Sequence, residues 1–311
     1  MEKFNLADLI LLNRENLKSN TLAMYLGNLK TLNDKKEITS LEFLFNFDEI
    51  MDKLQKYKLR TQRNYLTSVL VALGVYNSSE YNELREKYRS VLEGLTTQMN
   101  AEIELHTKNQ TQDENWSSLN ELKKSILGKY KRDVKRYGLP SRASPTQSDI
   151  FLYQKYLIAA LYLLRPPVRL DYAGMQVVRS RDEIEEGKNY LLVQSDRRKF
   201  FIFGDFKNIK IIGVQEQTVG SAVNKILNVW LNKYNKTGTL LLNSRMGALS
   251  PNGLGKLITE VFSTDKKRVS LNLIRHIWAS ENVDLEQTIK QNEIAAAMMH
   301  GSKTQLEYVK K

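Results

Sequence analysis

Leu271-Asn272-Leu273-Ile274-Arg275-His276-Ile277-Trp278-Ala279-Ser280 is the stretch on which the reading of this chain turns. Apolar residues recur at helical spacing, and an Arg-His pair sits in the middle of the run. A second His lies 24 positions further on, in Ala297-Met298-Met299-His300-Gly301-Ser302, and Tyr308 follows eight residues after it. Guanidinium and imidazole groups suit the holding of a phosphoryl group, and a phenol suits attack on one. Upstream, Pro166-Pro167-Val168-Arg169-Leu170-Asp171-Tyr172 places another Arg at the end of an apolar helix.

Composition restricts the partners. The chain has 311 residues, enough for two domains, and is 41% hydrophobic, enough for a core in each. Its net charge of +12 makes a polyanion the natural partner class. That surplus is confined to one part: residues 1–110 hold 15 Lys+Arg and 15 Asp+Glu, whereas residues 111–311 hold 32 against 20. No cysteine is present, which excludes disulfides, thiolate metal sites and Cys nucleophiles. The three histidines, His106, His276 and His300, are too scattered for a His-rich metal site. No apolar run reaches the roughly 18 residues of a membrane span, and the N-terminus lacks the basic start of a signal peptide. An intracellular protein without a membrane partner is the expectation.

Periodicity divides the chain into three. Residues 1–105 read as a bundle of four or five helices, with no Pro before Pro140. Residues 106–116 are polar and aperiodic and read as a linker. Residues 117–311 begin with helices near 117–137 and 147–164. Four β-like runs follow at 173–178, 190–194, 200–204 and 209–214, the last two separated by a turn at Asp205-Phe206-Lys207-Asn208. Helices return near 219–234, 252–262, 271–281, 289–299 and 303–310. The expected class is mainly α with a small antiparallel sheet, an α+β fold.

The order Arg169, Lys, Arg275-His276, His300, Tyr308 resembles the tyrosine recombinase (phage-type integrase) family. The resemblance extends in order over about the last 170 residues and more loosely over the first 110. It implies a helical core-binding domain and a catalytic domain that clamp duplex DNA from two sides. It also implies a site-specific recombinase that cuts and rejoins DNA through a 3′-phosphotyrosyl bond, without metal or cofactor, as a dimer to tetramer assembled on DNA. Arg169 and Arg275 would bind the non-bridging phosphate oxygens as rigid charged forks. His300 would donate to the charge developing on phosphorus. Tyr308 would be the nucleophile, and Asp171 would orient Arg169.

The family Lys belongs in a β-hairpin turn between the two Arg motifs, where it protonates the leaving 5′ oxygen. Lys207 at the expected turn fits best, with Lys199 and Lys210 as competitors. The family helix reads His-x-x-Arg-His, and Asn272 stands here at the first His. An amide at that position holds a hydrogen bond to phosphate or phenol but takes up no proton at neutral pH. His276 would pack behind the site. Met299 replaces the Gly of the family's Gly-His-Ser segment, and the His-to-Tyr interval is one residue shorter than usual. The aromatic-Lys turn, together with Pro-Pro-x-Arg-x-Asp-Tyr and Leu-x-Arg-His, is similar to integrases of large DNA viruses and their satellite elements. Two other functions fit the same residues: a type IB topoisomerase-like enzyme that only relaxes DNA, and a DNA-binding protein whose site has decayed.

Overall fold

The computed structural model describes residues 4–299. The chain separates into two compact units, Met1–Lys108 and Asn109–Lys311. The first holds α1 (Leu6–Asn13), α2 (Ser19–Leu32), α3 (Phe47–Gln55), α4 (Leu59–Leu73) and α5 (Ser79–Glu104). Its core is built around α4, whose Leu66, Val69, Ala72 and Leu73 are fully buried. One polar side chain is enclosed with them. Ser68 donates to the carbonyl of Asn64 at 3.0 Å and accepts from Asn28 of α2 at 2.9 Å, so its burial leaves no unmade hydrogen bond. Gly74 closes α4, and buried Tyr88 of α5 donates to the Leu44 carbonyl at 2.8 Å.

The second unit opens with α6 (Gln110–Asn115), α7 (Leu119–Leu122) and α8 (Gly128–Arg136), the last two joined by a π-helical turn over Lys123–Leu127. The expected linker is therefore partly helical. Asn109 and Gln112 close a capping box on α6. The end of α6 is fastened to the second unit, because Asn115 accepts from the Arg268 N–H at 2.6 Å and the Trp116 carbonyl accepts from Lys267.

The centre of this unit is α9 (Gln147–Leu163). Seven consecutive residues, Leu157 to Leu163, are at most 1% exposed, as expected of a helix surrounded on all sides. Thr146 caps it, and Asp149 in its first turn receives both hydrogen bonds from one Arg142 nitrogen at 2.8 and 2.7 Å. Pro166 and Pro167 prevent the helix from continuing toward Arg169.

A four-stranded sheet follows, formed by β1 (Gln176–Val178), β2 (Asn189–Val193), β3 (Lys199–Phe203) and β4 (Gln215–Thr218) in that order. The mainly helical α+β class is as expected, but the sheet is mixed: β1 runs parallel to β2, and the other two pairs are antiparallel. Alternation along β2 and β3 sends Leu191, Val193, Phe201 and Phe203 into the main core. Tyr190, Leu192 and Ile202 go to a small cluster on the other face.

The expected strand over 209–214 is corrected. Ile209–Ile212 forms a short helix, α10, and Gly213 reverses the chain at φ +76°. Ile211, Ile212 and Val214 are exposed, because the register of β3 is taken by Gln215–Thr218, held by ion pairing of Glu216 with Arg181. The remaining elements are α11 (Ser221–Val229) with a π-helical turn over Trp230–Tyr234, α12 (Pro251–Phe262), α13 (Leu271–Asn282) and α14 (Leu285–Ala297). The expected helix at 303–310 lies outside the described residues.

The two units bury separate hydrophobic clusters that share no residue. A fragment spanning 109–311 is therefore expected to fold alone, with one cooperative thermal transition and a native-like near-ultraviolet circular dichroism spectrum. A fragment that retains helix content but shows no such transition would contradict this.

Candidate functional site

Arg169 lies in the loop that leaves α9, and the backbone there is held from two sides. Tyr162, buried in α9, donates its hydroxyl to the Arg169 carbonyl at 2.8 Å, and the Arg169 N–H donates to Asp171 at 2.9 Å. Tyr172 anchors the loop beneath them, buried against the rings of Tyr162, Phe201 and Phe203. With its backbone fixed and its side chain exposed, Arg169 presents its guanidinium outward.

Arg275 reaches the same place from α13. Ser270 caps that helix, and Leu273, Ile274 and Ile277 bury one face of it, which turns half-buried Arg275 toward the α9 exit loop. Its Nε donates to the Pro167 carbonyl at 3.3 Å. The charges of Arg169 and Arg275 act on each other and on Asp171. Burial, and then the neighbouring Arg169, lower the pKa of Arg275, while Asp171 opposes that shift. Burial likewise raises the pKa of the Asp171 carboxyl, against the pull of the Arg169 N–H and both guanidinium charges. Both guanidinium charges thus act on one half-buried carboxylate, and an arriving anion would relieve their repulsion.

A residue that sequence reasoning missed joins the sheet to this loop. Asn189, at the start of β2, donates to the carbonyls of Asp171 (3.1 Å) and Asp205 (2.8 Å). Its Oδ1 accepts from the N–H groups of Gly204 (3.0 Å) and Asp205 (2.9 Å). The root of the β3–β4 connection is thereby fastened to the Arg169 loop. Gly204 is required there, because a Cβ would stand 2.6 Å from the Lys188 carbonyl oxygen. No spacing rule marks one strand-initial Asn among many, so the sequence held no signal for this clamp.

The candidate residues divide accordingly. The structure brings Arg169, Asp171 and Arg275 together. Lys207 is exposed on the β3–β4 connection, two residues beyond the Asn189 clamp, with neighbouring Phe206 packed on the core. Lys210 is exposed on α10. Lys199 lies at the far end of β3, 2% exposed, and donates to Asn224 and Asn228 of α11. Its inward direction follows from the alternation that it shares with Phe201 and Phe203. Asn272 is exposed in the first turn of α13. His276 does not pack behind the site as the resemblance implied; it is exposed, because the buried stripe of α13 passes through Leu273, Ile274 and Ile277 instead. His300 and Tyr308 lie outside the described residues. Among the described residues, no group of acidic and His side chains could hold a metal ion, and no helix is long and apolar enough to cross a membrane.

No protein-family model matches the chain, and no curated protein matches it.

Replacing Asn189 by Ala removes four hydrogen bonds to backbone groups, two of them part-buried. The expected loss of stability is about 2–4 kcal/mol in denaturant unfolding, with an unchanged dependence on denaturant concentration. A loss below roughly 0.5 kcal/mol, the range of an ordinary surface substitution, would show that the clamp is not a structural joint.

Proposed function

We propose that this chain is a DNA strand-transfer enzyme of the tyrosine recombinase type, acting inside the cell on double-stranded DNA as a homo-oligomer. The observation that supports it most is that Arg169 and Arg275, distant in sequence, both act on one half-buried carboxylate, and that Arg275 reaches the Arg169 loop at the Pro167 carbonyl. Two forked cations with one acid near them suit a phosphodiester, whose non-bridging oxygens accept from both guanidinium groups. The confinement of the +12 net charge to residues 111–311 supports the same partner.

In this reading, Tyr308 attacks phosphorus in line with the leaving 5′ oxygen. A bond forms between the phenolic oxygen and phosphorus, and the P–O5′ bond breaks. The phenol proton departs to solvent or a neighbouring base, and Lys207 supplies the proton that the 5′ oxygen needs. The product is a 3′-phosphotyrosyl bond and a free 5′-hydroxyl, and attack by a partner strand's 5′-hydroxyl reverses the chemistry. His300 donates to the developing charge. Asn272 contributes a hydrogen bond without titrating, and its exposure leaves the amide accessible to DNA.

Trapping on a suicide duplex tests this. The wild type is expected to form a covalent adduct, Tyr308→Phe none, with DNA affinity kept within about twofold because the phenol neutralises no phosphate. Arg169→Ala and Arg275→Ala are each expected to slow adduct formation by about 10²–10³. Wild-type binding without any adduct would instead mark a decayed DNA-binding protein. Relaxation of supercoils without recombinant products would mark a topoisomerase-like enzyme.

A further inference from the structure

At the opposite end of the β2–β3 hairpin lies a second concentration of positive charge. A cleft of about 610 Å³ is lined there by nine residues, including Arg179, Gln194, Ser195, Arg197, Lys199 and Asn228, and none of the nine is acidic. Strand β3 separates it from the Lys207 connection by about 13 Å, at roughly 3.3 Å per residue. It is a different place from the Arg169–Arg275 site.

Lys199 is the feature that needs an explanation. Lys199 is 2% exposed, yet the three hydrogen bonds of its ammonium all go to neutral acceptors: Asn228 at 2.5 Å, Asn224 at 2.7 Å and the Arg197 carbonyl at 3.3 Å. Burial and the charges of Arg179 and Arg197 both work against its protonated form. Acids close by in sequence are engaged elsewhere. Asp196 accepts from the Arg198 side chain and N–H. Exposed Glu183 accepts the N–H groups of Arg179 and Ser180 at 2.8 and 2.7 Å, and the Arg179 charge contributes only the last of the effects that lower its pKa. Three cations thus meet with too little negative charge.

The ammonium also sets the orientation of an amide. Because Asn228 turns its Oδ1 to Lys199, its NH₂ remains as a donor where Asn228 lines the cleft. Arg179 and Arg197 add forked donors, and Ser195 adds a hydroxyl. Gln194 also lines the cleft, and its buried Oε1 has no hydrogen-bond partner; turning the amide over would offer a further donor. A concave, donor-rich surface of this charge matches a tetrahedral oxyanion.

We propose that the cleft between the β2–β3 hairpin and α11 is a second anion site that binds a phosphoryl group through Arg179, Arg197 and Asn228, with Lys199 as the buried positioning residue. The proposal does not rest on the recombinase reading. The phosphoryl group has two possible sources, a free phosphorylated small molecule or the backbone of a nucleic acid strand, and one set of variants separates them.

The test uses the full chain carrying Arg169→Ala and Arg275→Ala, so that the first site is silent, and titrates it calorimetrically with pyrophosphate. Into this background go either Arg179→Ala with Arg197→Ala, both exposed, or Asn228→Asp, which keeps the acceptor for Lys199 and replaces the donor by a charge. Saturable pyrophosphate binding that weakens at least about tenfold in both variants establishes the site and a free phosphorylated ligand. If pyrophosphate does not bind, duplex DNA is titrated into the otherwise wild-type chain at several salt concentrations. A tenfold loss for Arg179→Ala/Arg197→Ala, with the log–log salt slope reduced by about two, assigns the phosphoryl group to the strand. Pyrophosphate binding unchanged by the variants, or no change with either ligand, overturns the proposal.

Discussion

Like charges brought together on a protein need something negative between them, and this requirement organises the site. Arg169 and Arg275 lie about a hundred residues apart in sequence, yet the Arg169 charge acts on Arg275, and both charges act on Asp171. The carboxylate is half-buried and its own ionisation is opposed by that burial, so it compensates the pair only in part. An environment that keeps two guanidinium groups charged and incompletely neutralised favours an anionic ligand over an empty site.

The scaffold exists to hold that pair still. Proline at 166 and 167 ends α9 at the point where the Arg169 loop must leave, and the Pro167 carbonyl then becomes the acceptor for Arg275. Tyr162 fixes the loop from below, and Asn189 ties it to the sheet and to the root of the Lys207 connection. Each joint is a hydrogen bond between side chain and backbone with a buried or half-buried partner. Such bonds constrain position more than they add net stability, since the same groups would otherwise bind water.

Much of this was legible in the sequence where the determinant is local. The helices carry their own apolar stripes, so the helices near 147–164 and 271–281 could be read from spacing. The sheet was legible in three strands and misplaced in the fourth. Ile209–Val214 has the composition of a strand, but whether it pairs depends on register against β3, which Gly213 and the Glu216–Arg181 ion pair decide from a distance. Asn189 was not legible at all, because its role consists of four contacts to backbone that no periodicity encodes. His276 went astray for a related reason: one helical step separates the buried stripe of α13 from its exposed side, and position within the motif did not determine which side the imidazole takes.

The coupling of Arg169 and Arg275 to Asp171 can be measured at one atom, the side-chain carboxyl carbon of Asp171, followed by NMR through a pH titration. The wild type is expected to show a pKa above the ordinary carboxylate value, because burial outweighs both arginines. Arg275→Ala removes a positive charge that favours the ionised form, so the pKa should rise further. Arg169→Ala should raise it too, although the backbone N–H of residue 169 still donates to the carboxylate. An Asp171 that titrates like a free carboxyl, or that is indifferent to both substitutions, would mean that the two arginines do not share it and that the site is not assembled as described.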